Sequence, residues 1–173
     1  AGQYNLNVNR IGVWGMSAGG MMAALIGTGA EIDAGTDSDI GNSQSVATLP
    51  RVQAVVDYYG PSDFLQGDAH APAADSWPSR YIGGAIGQYP ERVAATNPIT
   101  YVSADDPPFM LVHGDQDSIV PFNQSELLYA ALKQAGVDVE LYVVKDGDHA
   151  RGGEFGSPEL HRKTVVFLQQ HLQ

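Results

Sequence analysis

The stretch "RIGVWGMSAGGMMAALI" (10–26) holds one serine among glycines, at the point where an apolar run gives way to a helix-forming one. Gly15-Met16-Ser17-Ala18-Gly19 is a G-x-S-x-G pattern, the arrangement that presents a serine on a tight strand-to-helix turn. Glycines on either side let neighbouring backbone approach without Cβ clashes. The turn is expected to hold the Ser17 Oγ above the sheet and to aim the Ala18 N–H at a developing oxyanion. The start of the following helix adds favourable partial positive charge. The chemistry such a serine performs is nucleophilic attack on an acyl carbon. The bland alternative is an ordinary strand–helix turn whose serine caps the helix.

A serine hydroxyl is a weak nucleophile until a base takes its proton, so a histidine is required nearby. For a serine on such a turn, the partners follow in the order Ser…Asp/Glu…His, each in a loop after a later strand. "HGDQDSIVP" (113–121) and "KDGDHARGG" (145–153) supply both. Of the five histidines, only His149 lies between the last strand and the last helix, which makes it the candidate general base. His113 ends a strand and is expected to pack or hydrogen-bond locally. His70 falls in a proline-rich stretch, and His161 and His171 fall on a terminal helix, expected in solvent. For the acid, Asp117 lies further out in its loop and is favoured. Asp115 directly follows the strand-ending glycine, and the alternative is that it fills this role rather than bracing the turn through backbone N–H groups. The acid's task is to orient the imidazole and stabilise the imidazolium.

Four apolar runs and three helix-like segments must position these residues. "RIGVWG" (10–15), "VQAVVDYYG" (52–60), "PFMLVHG" (108–114) and "VDVELYVVK" (137–145) read as strands. "SAGGMMAALIGTGA" (17–30), "NQSELLYAALKQAG" (123–136) and "SPELHRKTVVFLQQHL" (157–172) read as helices, the last opened by Ser157-Pro158. Residues 61–100 carry Pro61, Pro72, Pro78, Pro90 and Pro98, so only short helices fit there. Strands alternating with helices predict one α/β domain over 1–173, with a parallel sheet and right-handed crossovers.

Composition removes several function classes. The 173 residues carry a formal net charge of -11, which repels phosphate backbones, so nucleic acid is not an expected partner. The chain is 43% hydrophobic with no long apolar run, so no membrane span is expected. Cysteine is absent, which excludes disulfides, thiolate zinc sites and a cysteine nucleophile. "AGQYNLNVNR" lacks the basic and apolar segments of a secretion signal. No G-x-G-x-x-G, G-K-[ST] or H-E-x-x-H spacing occurs, so neither a cofactor nor a metal is expected. Asp33, Asp37, Asp39 and Asn42 lack the full calcium-loop spacing and read as a solvated acidic loop. Asn123-Gln124-Ser125 is a formal glycosylation sequon that is expected to cap a helix.

Beyond the serine motif, "AVVDYYGPSDF", "NPITYVSADDPPFMLVHGDQDSIVPFNQSELLYAAL" and "VELYVVKDGDHARGG" resemble the bacterial esterase/lipase group of the α/β-hydrolases related to feruloyl and acetyl-xylan esterases. The resemblance spans most of the chain. It implies a serine carboxylester hydrolase with Ser17, Asp117 and His149 as its triad. It also places Tyr58, Tyr59 and Gly60 in part of the acyl pocket, against the alternative of aromatic packing at a strand end. It implies an ester substrate, small or linked to polysaccharide, and is compatible with secretion. Such enzymes carry four or five strands and a second oxyanion donor ahead of the nucleophile strand. The chain is therefore expected to be the C-terminal portion of a longer protein: an α/β-hydrolase fold truncated on its N-terminal side, with about four parallel strands. Its nucleophile strand would lie at or near an exposed edge, open to self-association. Two other readings stand beside this one. A serine peptidase of the prolyl-oligopeptidase kind shares the motif order, but such enzymes usually carry a basic residue near the acid, where Ser118 follows Asp117 here. A hydrolase-fold module that binds without catalysis has no need of all three residues.

Overall fold

Val55 and Val56, neighbours in one strand, belong to two different cores, and that alternation organises the molecule. The computed structural model describes residues 6–29, 51–66 and 74–173. Four strands, β1 (Gly12–Met16), β2 (Ala54–Tyr58), β3 (Phe109–Gly114) and β4 (Val139–Val144), form one parallel sheet in the order β1-β2-β3-β4. Registers such as Met16↔Tyr58, Tyr58↔Val112 and Gly114↔Val144 bring the C-terminal strand ends to one rim of the sheet. β1 and β4 are its edges.

β2 and β3 are buried along their whole length, as apolar strands of a sheet covered on both faces must be. On one face Val55, Phe109 and Leu111 pack against Ala23 and Ala24 of α1 (Ala18–Gly27) and against Leu128 and Leu132 of α4 (Asn123–Ala135). On the other, Val56, Met110 and Val112 pack against Leu160 and Phe167 of α5 (Pro158–His171). A satellite cluster joins Met21 and Leu25 of α1 to Ile82 of α2 (Trp77–Ile82) and Val93 of α3 (Pro90–Thr96). The two short helices are those the prolines allow, with Pro78 and Pro90 in their first turns, where a missing N–H loses no bond.

The strands and helices expected from the sequence are present, with ends shifted by up to three residues. One element was not expected. After β4, β5 (Gly147–Asp148) and β6 (Arg151–Gly152) pair antiparallel, with His149 and Ala150 as the turn between them. Two-residue strands have no periodicity to read. Among the described residues no helix is long and apolar enough to cross a membrane. His70 and the acidic stretch of Asp33, Asp37, Asp39 and Asn42 lie outside the described residues.

Candidate active site

Ser17 sits between β1 and α1 with φ 55° and ψ −124°, a backbone conformation costly for a residue bearing a Cβ. The surrounding contacts over-determine it. The Ser17 N–H donates to the Tyr58 carbonyl (2.8 Å), and the Ser17 carbonyl accepts from the Met21 N–H (3.1 Å). A Cβ on Gly15 would lie 1.9 Å from the Gly19 carbonyl oxygen, so strand and helix meet this closely only with glycine there. Gly19 does not share that role: a Cβ there meets nothing within 4 Å among the described residues. Its neighbour Gly20 does, since a Cβ would lie 2.1 Å from Asp57 Oδ1. The pattern names Gly19, whereas the packing requires Gly20.

Ser17 occupies the cap position of α1, yet its side chain makes no capping bond. Its Oγ instead lies 3.0 Å from His149 Nε2. His149 Nδ1 lies 2.8 Å from Asp117 Oδ2. The Asp117 side chain is fully buried, and its Oδ1 accepts the Ile119 and Val120 N–H groups, each at 2.8 Å. Burial pushes this carboxyl up, but hydrogen bonds from His113, Ile119, Val120 and His149 outweigh it and hold Asp117 below its ordinary value. With the carboxylate ionised, Nδ1 of His149 is the donor, which leaves Nε2 free to accept from the Ser17 hydroxyl.

Asp115 is placed elsewhere. Its Oδ1 accepts the Asp146 N–H (2.7 Å) and its Oδ2 the Lys145 ammonium (3.1 Å), which holds its carboxyl below the usual value. Asp115 thus braces the turn, and Asp117 meets the imidazole.

His113 hydrogen-bonds to the loop and helix that follow its strand. Fully buried, its Nε2 lies 2.9 Å from the Val120 carbonyl and 3.3 Å from Asp117 Oδ2, and its Nδ1 lies 2.7 Å from Ser125 Oγ. The carbonyl only accepts, so Nε2 donates to it, while Nδ1 and the Ser125 hydroxyl share the second bond. The sequon is thereby explained differently. Phe122, not Asn123, stands at the helix cap, Ser125 is buried on His113, and Gln124 Oε1 accepts the Ser62 and Asp63 N–H groups at 2.8 Å.

Tyr59 is buried with φ 44°, and its ring meets His149 edge to face at a centroid distance of 4.6 Å. Burial first, and the Asp117 charge second, raise its phenol above the ordinary value. Tyr58 turns toward α5, its hydroxyl 2.6 Å from Thr164 Oγ1. Both tyrosines line a cavity of about 520 Å³ with Trp14, Met16, Ala150 and Phe155. Met16 and Ala150, the chain neighbours of Ser17 and His149, line it, whereas Ser17 and His149 themselves do not. Gly60 does not line it; its N–H donates to Asp57 Oδ1 (2.9 Å) beneath the serine turn.

Ala18 opens α1, where first-turn N–H groups have no intrahelical acceptor and are available to a negative charge. Beneath that turn, Asp57 is wholly buried. Desolvation pushes it up to about 7, against the opposing pull of the Gly60 N–H and His113. Its Oδ2 has no hydrogen-bond partner among the described residues. Among those residues no group of three or more His, Asp or Glu is placed to share a metal ion.

Residues 1–132 match the BD-FAE family. The chain is 32% identical over 152 residues to esterase LipQ of Mycobacterium tuberculosis, an alignment covering 84% of this chain and 34% of that protein. A solved structure described as a truncated form of carbohydrate esterase from gut microbiota superposes with a TM-score of 0.82 at 29% identity, covering 100% of this chain and 64% of that one. The bifunctional GH43-CE protein of Bacteroides eggerthii superposes with a TM-score of 0.79 at 30% identity, covering 99% of this chain and 25% of that one. The chain thus spans about a third of the length of LipQ.

Proposed function

The chain belongs to the BD-FAE family and has the α/β-hydrolase fold, and on that footing we propose that it carries the catalytic serine machinery of a carboxylester hydrolase working through an acyl-enzyme. In this reading Ser17 is the nucleophile, His149 the general base, Asp117 the residue that orients the base, and the Ala18 N–H an oxyanion donor. The observation that carries the reading is the continuous chain Ser17 Oγ to His149 Nε2 (3.0 Å) and His149 Nδ1 to Asp117 Oδ2 (2.8 Å).

The steps follow from those contacts. His149 Nε2 takes the hydroxyl proton as Ser17 Oγ bonds the ester carbonyl carbon, and the carbonyl oxygen gathers negative charge beside the first turn of α1. The imidazolium, stabilised by the Asp117 carboxylate, returns the proton to the departing alkoxide as the C–O bond breaks. Water, deprotonated by His149, then attacks the acyl-serine, and His149 returns the proton to Ser17 Oγ as the acyl–Oγ bond breaks and the acid leaves.

Short-acyl and aryl esters are the proposed substrates, with acetyl or feruloyl groups on polysaccharide as the natural class. The likeness to carbohydrate esterases supports that class, and the apolar cavity lined by Tyr58 and Tyr59 suits an uncharged acyl or aryl group. Hydrolysis of p-nitrophenyl acetate and butyrate beside a Ser17→Ala control tests the reading. Turnover that disappears in the control is expected, and turnover equal in both proteins contradicts it. An amide of the same acyl group, left intact while the ester is cleaved, separates an esterase from a serine peptidase.

A further inference from the structure

The residues next to the acid and the base make a second link that mirrors the first. Asp117 of the acid loop receives His149, while Asp148, one residue before the base, receives Ser118, one residue after the acid. Asp148 Oδ1 accepts both the Ser118 N–H (2.9 Å) and the Ser118 hydroxyl (2.8 Å). Its Oδ2 accepts the Arg151 Nε–H (3.1 Å) across the small hairpin, and the His149 N–H also donates to this carboxylate. The Ser118 N–H first, then the His149 N–H and the Ser118 hydroxyl, hold the Asp148 carboxyl far below its ordinary value, so the acceptor is a carboxylate throughout the neutral range.

We propose, resting on the ester-hydrolase reading, that Asp148 is a positioning residue which fixes His149 on Asp117 by tying the tip of its hairpin to Ser118. The root of that hairpin is anchored independently. The Asp115 N–H donates to the Val144 carbonyl (3.2 Å), the Gln116 N–H to the Gly147 carbonyl (2.9 Å), and the Asp146 N–H to Asp115 Oδ1 (2.7 Å). None of these reaches past Gly147. His149 occupies a two-residue turn whose other member, Ala150, has φ 60°, and among the described residues only the Asp148 carboxylate ties this turn to the backbone of the acid loop. Its loss leaves the sheet and the hairpin root intact while the imidazole gains freedom to leave the Ser17–Asp117 line.

Four variants of the full chain test this: Asp148→Ala, Asp148→Asn, Ser118→Ala and the double Asp148→Ala/Ser118→Ala. Two readouts apply, kcat and KM for p-nitrophenyl acetate, and the downfield proton resonance of the His149 Nδ1–H bonded to Asp117. A His149→Ala spectrum identifies that resonance and separates it from the buried His113. Removing the charge-assisted acceptor of both Ser118 bonds is expected to lower kcat of Asp148→Ala about 10- to 30-fold, with KM within about twofold of wild type. The resonance is expected to broaden or vanish. Asp148→Asn keeps an acceptor for Ser118 and is expected to retain both signals. Ser118→Ala loses the hydroxyl bond and keeps the backbone one, and is expected to fall about threefold, with no added loss in the double variant. An Asp148→Ala protein with wild-type kcat and an unchanged resonance overturns the proposal. Should that variant melt below the assay temperature, Ser118→Ala, altered at an exposed position, decides by the same readouts. If wild type itself shows no Ser17-dependent turnover, the ester-hydrolase reading fails, and the resonance alone still decides whether Asp148 positions His149.

Discussion

The rings of Tyr59 and His149 meet edge to face at 4.6 Å, and Tyr59 holds that position on a left-handed backbone with φ 44°. An imidazole bonded at both nitrogens is still free to tilt about that line, and the buried phenol ring closes one side of the tilt. Tyr59→Phe keeps the ring and is expected to keep the activity. Tyr59→Ala opens a cavity beside the His149 ring and is expected to cost about 3 kcal/mol or more in stability, by chemical denaturation, together with a fall in kcat.

Asp117→Asn replaces an acceptor with a group that also donates, beside both His149 Nδ1 and His113 Nε2. The tautomer of His149 that accepts from Ser17 is then no longer favoured. A loss of about 10³- to 10⁴-fold in kcat for p-nitrophenyl acetate is expected, with KM little changed. Asp115→Asn, whose carboxylate meets Lys145 and the Asp146 N–H, is expected to stay within about threefold of wild type.

The three glycines around the serine are expected to separate. Gly15→Ala and Gly20→Ala put a Cβ 1.9 Å from a carbonyl oxygen and 2.1 Å from Asp57 Oδ1, and each is expected to destabilise by about 1–3 kcal/mol or more. Gly19→Ala meets nothing within 4 Å among the described residues, lies in the first turn of α1, and is expected to be neutral or to stabilise by up to about 1 kcal/mol. Thermal melts of the three proteins check the order.

Asp57 gives a pH dependence with a definite sign. Its folded value, about 7, lies above the ordinary 3.8, so between those values the folded chain holds a proton that the unfolded chain has released. The stability this group contributes is present below about 3.8 and is lost as pH rises through about 7. Asp57→Asn has no proton to lose. The melting temperature of the variant minus that of wild type is therefore expected to rise from about pH 4 to pH 7 and to level above that. A difference that is flat over this range contradicts the assignment.

Much of this arrangement is legible in the chain. The apolar runs locate the four parallel strands, most firmly β2 and β3, because a strand covered on both faces needs a nearly continuous apolar sequence. The strand–turn–helix setting and the order of loops single out Ser17, Asp117 and His149 as candidates. What the sequence hides is contact between distant segments. In "AVVDYY" nothing marks Asp57 as a carboxyl buried beneath Gly20, and a sequon reading of Asn123-Gln124-Ser125 hides that Gln124 and Ser125 turn inward. Asp148 stands beside a histidine in a polar loop, and its bond to Ser118 exists only once β3 and β4 lie side by side. The choice between Gly19 and Gly20 likewise depends on Asp57, a residue of the adjacent strand.

Activation of Ser17 by His149 is read out by intact-mass spectrometry after treatment with a fluorophosphonate. One adduct per chain, mapped by peptide analysis to Ser17, is expected. It should be absent in Ser17→Ala and form about 10²- to 10⁴-fold more slowly in His149→Ala. Labelling at another residue, or labelling of Ser17 at an equal rate without His149, contradicts that activation.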